Sequence, residues 1–488
     1  MLTKITYKTL SILAVLSILF SACSTDEGVE RIFEAAFQTN SLGLGAADES
    51  KDIVVNFSIP TIQETTVTIE VTENGVSYGS DYETEPVASE GTITVTVPAG
   101  ATSAQITVTR LVDFLPAGNS IDLTLASIAG EESPEIVGNA KVSILFEEVV
   151  STGGTIDLLT GGSNMPNQCY IDLSNYTQTA VRRDTWELAF YSGAENKVFL
   201  NAALLVSAAE LVESTDIDAV NSETVFATAL ELSSYGQPVT VNNVSELKPG
   251  IPVGYYMYGN YTDNKAGTET AIKAISATDA ENKVYIVSLG YSIPEESEGS
   301  LKTTEDERGL YKIRVLLDGE NYKLQYAELD ATTHQEVTIS KDASNNHVFF
   351  SLVDEKTVVV EPAKSSWDIN FSGVFSYFEG GFGLTYSDYA LHNTLGGTGL
   401  YQVLNASDVP SYDDFTLADV EEMAFVYDNR AVIGSDWRNS GYNSPATLKD
   451  DRYYVVKDVE GNYFKLKFTR LSSETGVRGH SQFVYELL

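Results

Sequence analysis

The chain has 488 residues, of which 43% are hydrophobic, so it is long enough to build about two to four domains with substantial cores. Lys and Arg total 30 against 69 Asp and Glu, which gives a formal net charge of −39 at pH 7. No stripe of basic residues interrupts this acidity, so the composition excludes a typical nucleic-acid-binding surface.

The first 22 residues have the pattern of a bacterial signal peptide. Lys4 and Lys8 precede an apolar run over residues 10–20, which is too short to cross a bilayer comfortably. The sequence Phe20-Ser21-Ala22-Cys23 follows and resembles a lipobox, in which the cysteine becomes the lipidated mature N-terminus. We therefore expect a membrane anchor on Cys23, because two or more acyl chains bind a bilayer stably. Ordinary cleavage beside a chance cysteine is the alternative.

Residues 23–30 are expected to form a tether. Asp26 and Glu27 directly follow the cysteine region and resemble the surface-export signal of Bacteroidetes lipoproteins. The resemblance implies an outer-membrane lipoprotein whose folded part faces the cell exterior, whereas a merely solvated tether is the simpler interpretation.

Beyond the tether, the sequence predicts an all-β protein. Short runs such as Thr66-Val67-Thr68-Ile69-Glu70-Val71 alternate β-branched and polar residues, and Gly, Asn, Asp and Pro separate them. Because successive side chains of a strand point to opposite faces, this alternation is typical of sheets with one buried face.

Residues 31–149 are predicted to form an N-terminal immunoglobulin-like β-sandwich, followed by a linker over 150–154. The order Gly79-Ser80-Asp81-Tyr82, Val97-Pro98-Ala99-Gly100 and Gln105–Thr109 resembles the Calx-beta family, some members of which bind calcium. Asp113 occupies the expected place after the last strand, but Val112 stands where many members have a second acid. Calcium needs several converging carboxylates, so we expect a spacer rather than a calcium site.

Residues 155–488 contain an internal duplication, with halves predicted at 155–333 and 334–488. Cys169-Tyr170-Ile171-Asp172-Leu173 and Trp186-Glu187-Leu188-Ala189-Phe190 in the first half match Val348-Phe349-Phe350-Ser351-Leu352 and Trp367-Asp368-Ile369-Asn370-Phe371 in the second. Further along, Tyr311–Arg314 and Asn321–Tyr326 match Tyr454–Lys457 and Asn462–Phe468. The halves are therefore expected to be two related β modules or one pseudo-symmetric body.

The second half carries an ordered set of motifs that resembles the HmuY-like haem-binding lipoproteins of Bacteroidetes. The set comprises Trp367–Phe371, Tyr386-Ser387-Asp388-Tyr389, Gly396-Gly397, Tyr453–Asp458, Gly461–Leu466 and Gly476-Val477-Arg478-Gly479. The resemblance extends more loosely over residues 155–488. It implies an all-β, non-catalytic body that binds haem through His or Met ligands and works with an outer-membrane uptake receptor.

Under that resemblance, His392 and Met423 are the preferred candidates for iron ligands, because imidazole and thioether both bind haem iron axially. Met257 and Tyr191 in the first half are further candidates. The structural alternatives are a loop histidine that bonds the backbone and a methionine that packs in a core.

Motifs for zinc proteases, Cys-x-x-Cys sites, serine hydrolases and phosphate-binding loops are missing from the sequence. We therefore expect no enzyme and no metal other than haem iron. An adhesion or glycan-binding lipoprotein, whose tyrosine-rich loops stack on sugars, is the main alternative, and a hydrolase with an unrecognised carboxylate pair is a weaker one.

Overall fold

The computed structural model describes residues 33–45, 48–112, 115, 118–131, 134–147, 150–234, 237–247, 261–295, 301–378, 382–421, 423–439 and 446–488. Cys23, Asp113 and Met257 lie outside these ranges, so the lipidation, calcium and first-half methionine predictions fall on residues that are not described. Within the described residues, helix is limited to five 3-10 turns: Arg183–Thr185, Ala202–Leu204, Val244–Glu246, Asp279–Glu281 and Leu417–Val420. None of the helices in these ranges has the length and apolar character needed to span a bilayer.

The first ten strands form two five-stranded sheets, with the orders β5-β7-β3-β1-β9 and β2-β10-β8-β4-β6. Buried and more exposed side chains alternate along β3, β6 and β7, as expected for sheets that bury one face. These strands are β1 (Glu34–Phe37), β2 (Ser41–Gly43), β3 (Ser50–Phe57), β4 (Thr65–Asn74), β5 (Tyr82–Glu85), β6 (Thr92–Val97), β7 (Ser103–Arg110), β8 (Ser120–Ala129), β9 (Glu135–Ile136) and β10 (Lys141–Leu145).

The remaining strands form a β body that begins at Gly153. Its first half contains β11 (Gly153–Asp157), β12 (Asn167–Asp172), β13 (Thr177–Arg182), β14 (Leu188–Tyr191), β15 (Val198–Leu200), β16 (Ser207–Leu211), β17 (Val225–Ser234), β18 (Gln237–Asn243), β19 (Val284–Ser288), β20 (Leu310–Asp318) and β21 (Asn321–Glu328). Its second half contains β22 (Gln335–Ile339), β23 (His347–Ser351), β24 (Lys356–Val358), β25 (Ile369–Phe378), β26 (Phe382–His392), β27 (Gly399–Leu404), β28 (Arg438–Asn439), β29 (Thr447–Leu448), β30 (Arg452–Lys457), β31 (Tyr463–Ser472) and β32 (Arg478–Leu487).

Strand pairing repeats between the two halves with a shift of eleven strands. The five-stranded sheet β16-β19-β20-β21-β22 has its counterpart in β27-β30-β31-β32-β11, and the four-stranded sheet β15-β14-β23-β24 has its counterpart in β26-β25-β12-β13. The second half therefore repeats the architecture of the first around a pseudo-two-fold relation. The short hairpins β17-β18 and β28-β29 are the exception, because they pack against opposite faces of the equivalent sheets.

The two halves exchange strands. Leu188 of β14 pairs with Phe350 of β23, and Ile369 of β25 pairs with Ile171 of β12, so each four-stranded sheet contains two strands from each half. The first strand of each half also leaves it, since β11 pairs with β32 and β22 pairs with β21. The body is therefore one intertwined unit rather than two consecutive modules.

Each of the two five-stranded sheets of the β body has two covered faces. One face packs into a large apolar core, which includes Tyr285 and Ile313 in the first half and Tyr454 and Leu466 in the second. We call the opposite face the outer face. In the first half β17 and β18 cover it, and in the second half residues 405–421 and 423–425 cover it.

The prediction of an all-β chain with an N-terminal sandwich and a duplicated β body is confirmed. The predicted match between Tyr311–Arg314 and Tyr454–Lys457 is wrong by one strand. Tyr311–Arg314 lies in β20, whose counterpart is β31, whereas Tyr454–Lys457 lies in β30, the counterpart of β19.

Candidate functional site

The two Trp-acid motifs, Trp186-Glu187 and Trp367-Asp368, lie where the halves exchange strands. Both carboxylates are buried and accept hydrogen bonds from backbone amides. A Glu187 carboxylate oxygen accepts the Leu352 amide at 2.7 Å, and Asp368 accepts the Leu173 amide at 2.9 Å. Burial raises the pKa of Asp368 well above its usual range. Since both acids bond the backbone of the other half, their role in the structure is to join the halves.

The two tryptophans pack edge-on against aromatic residues of the other half. The ring centroids of Trp186 and Phe349 are 4.8 Å apart, and those of Tyr170 and Trp367 are 5.1 Å apart. Tryptophan rings bury a large apolar area, so in this arrangement both rings anchor the core between the halves.

His392 ends β26 with its imidazole ring buried, at 2% exposure. Its Nδ1 lies 3.1 Å from the Arg430 carbonyl oxygen and its Nε2 lies 3.1 Å from the Val426 carbonyl oxygen. Burial lowers the pKa of His392 to about 4, so the ring is neutral at neutral pH and can donate only one of these two bonds. Both nitrogens thus face backbone carbonyls, and in this arrangement neither is open to a ligand.

Met423 lies three residues before Val426, so the His392 ring contacts the segment that carries the second predicted ligand. The Met423 side chain is partly buried against a cluster that includes Phe415, Val420 and Tyr453. The structure therefore brings the predicted ligands His392 and Met423 together only through the contact between the His392 ring and Val426.

Met423 also lines an open depression of about 580 Å3 on the outer face of the second half. That volume is within the range of roughly 300–1,000 Å3 typical of small-molecule sites. The Lys457 ammonium lies 5.4 Å from the centroid of the Tyr463 ring, and Phe425 packs against the same ring. The full lining is Leu417, Ala418, Val420, Glu421, Met423, Phe425, Lys457 and Tyr463. The depression combines an apolar surface, one thioether and one cation.

Tyr191, the first-half candidate, neighbours a different histidine. It ends β14 opposite His347 of β23, and the two ring centroids are 6.0 Å apart. The His347 Nδ1 lies 3.3 Å from a Glu361 carboxylate oxygen, while its Nε2 is buried without a hydrogen-bond partner. A histidine oriented by a carboxylate with its other nitrogen unbonded has the donor arrangement of a metal ligand, although aromatic rings enclose this one.

Comparison with known proteins identifies the body. The family model described as HmuY protein matches residues 164–335 and 343–485, which is more than half of the chain. This chain belongs to the HmuY family. No curated protein has a sequence that matches it.

Solved structures resemble parts of this HmuY-family chain at low identity. The apo form of the Calx CBD1 domain shares 11% identity with a TM-score of 0.20, and the match covers 24% of this chain and 97% of that domain. A proposed carbohydrate binding protein from Bacteroides ovatus shares 10% identity with a TM-score of 0.17, covering 62% of this chain and 72% of that one.

The first matched segment ends at Gln335, the first residue of β22, and the second begins at residue 343, before β23. The sequence patterns above did not single out His347, Lys457 or Tyr463 as part of a site. Glu361 lies 14 residues from His347 and gives no local signal, whereas the Lys457–Tyr463 pair across a Gly turn was visible in the sequence.

Proposed function

We propose that this protein is an outer-membrane lipoprotein that captures haem outside the cell and passes it to an uptake receptor, without catalysing a reaction. Membership of the HmuY family is the observation that carries the proposal. An open depression with a thioether on its wall supports it, because haem requires an apolar slot, an axial ligand and polar groups at the rim.

In this proposal the chain is anchored by acyl chains on Cys23. The support is the sequence: a short apolar run flanked by Lys4 and Lys8 and ended by small residues before the cysteine. Mass spectrometry of the N-terminal peptide from membranes should find a diacylated or triacylated Cys23, and an unmodified N-terminus at another residue would contradict the anchor.

The iron ligand that we propose first is Met423, since it lines an open space. His392 is proposed as the second ligand, and to bind iron it must release the Val426 carbonyl from Nε2. Tyr191 and Met257 remain candidates for a site in the first half, and His347 joins them because its Nε2 is unbonded.

Titration of haemin into the chain freed of its signal segment tests the function. We expect a shifted, sharpened Soret band for the parent chain. Met423→Leu should weaken haem binding at least tenfold, because it keeps the packing volume but removes the sulfur. Met423→His should restore binding with a changed visible spectrum, since imidazole replaces the thioether.

His392→Leu, Tyr191→Phe and His347→Gln in the same titration identify the second ligand. The variant that loses the Soret shift while keeping its melting temperature carries that ligand. A parent chain whose spectrum does not respond to haemin rules out haem capture. Specific glycan binding by that chain would then favour the adhesion alternative.

A further inference from the structure

The depression beside Met423 has an equivalent place in the first half of the body. In the second half Gly399 pairs with Lys457, which pairs with Tyr463 across β27, β30 and β31. In the first half Ser207 pairs with Ser288, which pairs with Leu310 across β16, β19 and β20. Because the two sheets have the same strand order and register, these two rows occupy equivalent positions on the two outer faces.

In the first half the chain itself fills this place. The side chains of Leu230 and Leu232 from β17, together with Leu247, lie over the Ser288–Leu310 pair, and all three are buried. They leave a cavity of about 10 Å3, which is at most the space that one water molecule needs. In the first half, therefore, apolar side chains of the chain itself cover the Ser288–Leu310 pair.

In the second half the Tyr427 ring lies over Gly399, but the place at Lys457 and Tyr463 is open and its chemistry differs. The two row positions that hold Ser288 and Leu310 in the first half hold Lys457 and Tyr463, which line the depression of about 580 Å3. Leu417 at its edge is 53% exposed. Glu421 is the acidic residue and Lys457 the basic residue among the lining side chains. An occupant that matches this surface has an apolar body and an anionic group that reaches Lys457.

We infer that the duplicated body binds one apolar, carboxylate-bearing ligand per chain, on the outer face of the second half. The β17-β18 hairpin occupies the equivalent place in the first half. Lys457 and Tyr463 determine ligand specificity, since Lys457 pairs with the anionic group and Tyr463 provides an aromatic surface. The identification of this ligand as haem, a dicarboxylate, rests on the proposed function.

Binding stoichiometry tests this inference. Haemin and 1-anilinonaphthalene-8-sulfonate, an apolar anion without iron, are titrated separately into the full chain after signal removal. We expect one equivalent of each at saturation. Lys457→Glu and Ala418→Trp should each weaken binding at least tenfold, the first by charge repulsion and the second by filling the depression from an exposed position.

Leu310→Ala is the matched control in the first half, and Lys356→Glu is the control for a change of surface charge. Both should leave the affinity within about twofold of the parent, and melting temperatures verify that every variant is folded. Two equivalents per chain would overturn the inference.

The outcomes also separate this inference from the haem proposal. If haemin binds once but Lys457→Glu and Ala418→Trp have no effect, the proposed place is wrong while haem capture stands. If only the iron-free anion binds, and Lys457→Glu abolishes its binding, the proposed place is right and haem is the wrong ligand. If neither probe binds, both proposals are wrong.

Discussion

The buried ring of His392 makes stability depend on pH. Its pKa is about 4 in the folded chain against 6.5 for an ordinary histidine, so the unfolded chain binds more protons between these values. The free energy of unfolding therefore falls as pH drops from about 6.5 towards 4, by an amount on the order of 3 kcal/mol. Asp263 acts in the opposite sense, because burial raises its pKa from 3.8 to about 6.

His392→Leu isolates the histidine contribution, and leucine is the residue at the equivalent first-half position, Leu200. We expect the difference in unfolding free energy between parent and variant to shift in favour of the variant as pH falls from 6.5 to 4. Urea denaturation at four pH values measures it. A difference that is constant across this range would show that the ring is not held neutral.

The roles of single residues were the hardest feature of this protein to predict from its sequence. The sequence identified His392 and Met423 by residue type, but whether a histidine nitrogen is open depends on carbonyls 34 and 38 residues away. The alternative interpretation, a histidine that bonds the backbone, describes the geometry of His392. Met423 both packs in a core cluster and lines an open space, which residue type alone could not distinguish.

At the scale of elements, a buried lysine at the same position of two equivalent strands donates hydrogen bonds to loop carbonyls. Lys312 of β20 is fully buried, and its ammonium donates to the Val220 carbonyl at 2.6 Å and the Ala331 carbonyl at 2.7 Å. At the equivalent position of β31, Lys465 donates to the Phe415 carbonyl at 3.2 Å. Each lysine thus joins the outer face of its sheet to backbone carbonyls of neighbouring loops, and in the second half that loop belongs to the covering segment.

Lys312→Met should lower the free energy of unfolding by about 2 kcal/mol, because it leaves two carbonyls without their donor while keeping the apolar stem. Chemical denaturation measures the change. Lys356→Met, at a lysine that is 63% exposed, is the control and should change stability by less than about 0.5 kcal/mol. Equal effects of the two substitutions would mean that the bonds from the buried ammonium to Val220 and Ala331 do not stabilise the fold.

Strands were the most predictable elements, since alternation and turn residues mark them directly in the sequence. The error of one strand in matching the halves has a physical cause. The matched strands share aromatic and aliphatic residues, and the sequence alone does not give the order of strands in a sheet. The hairpin β17-β18 and residues 405–421 and 423–425 differ in sequence because they cover equivalent sheets in different ways.

At the scale of the whole molecule, strand exchange predicts that neither half folds alone. Residues 150–332 and 333–488 would each lack two strands of both four-stranded sheets and one strand of their five-stranded sheet. We expect each fragment alone to be unfolded or self-associated, because its strand edges and apolar faces stay uncovered. Co-expressed fragments should assemble one to one.

Sedimentation and circular dichroism of the separate and co-expressed fragments measure this. The intact chain is the control, and the reassembled fragments should regain its β spectrum. A fragment that is monomeric and unfolds cooperatively by itself would contradict the exchange. Sequence alone predicted the duplication, but it could not predict the exchange, because the same motifs suit two separate modules or one shared body.

The pairing of β11 with β32 has a mechanical consequence. Gly153 lies opposite Glu486, so the chain enters and leaves the body through adjacent antiparallel strands. If the protein is held at its N-terminal side and pulled by flow, the pulling force acts first on the ladder between β11 and β32. Pulling β11 away from β32 breaks the backbone hydrogen bonds of this ladder and withdraws Ile156 from the apolar core, so both set the force at which unravelling begins.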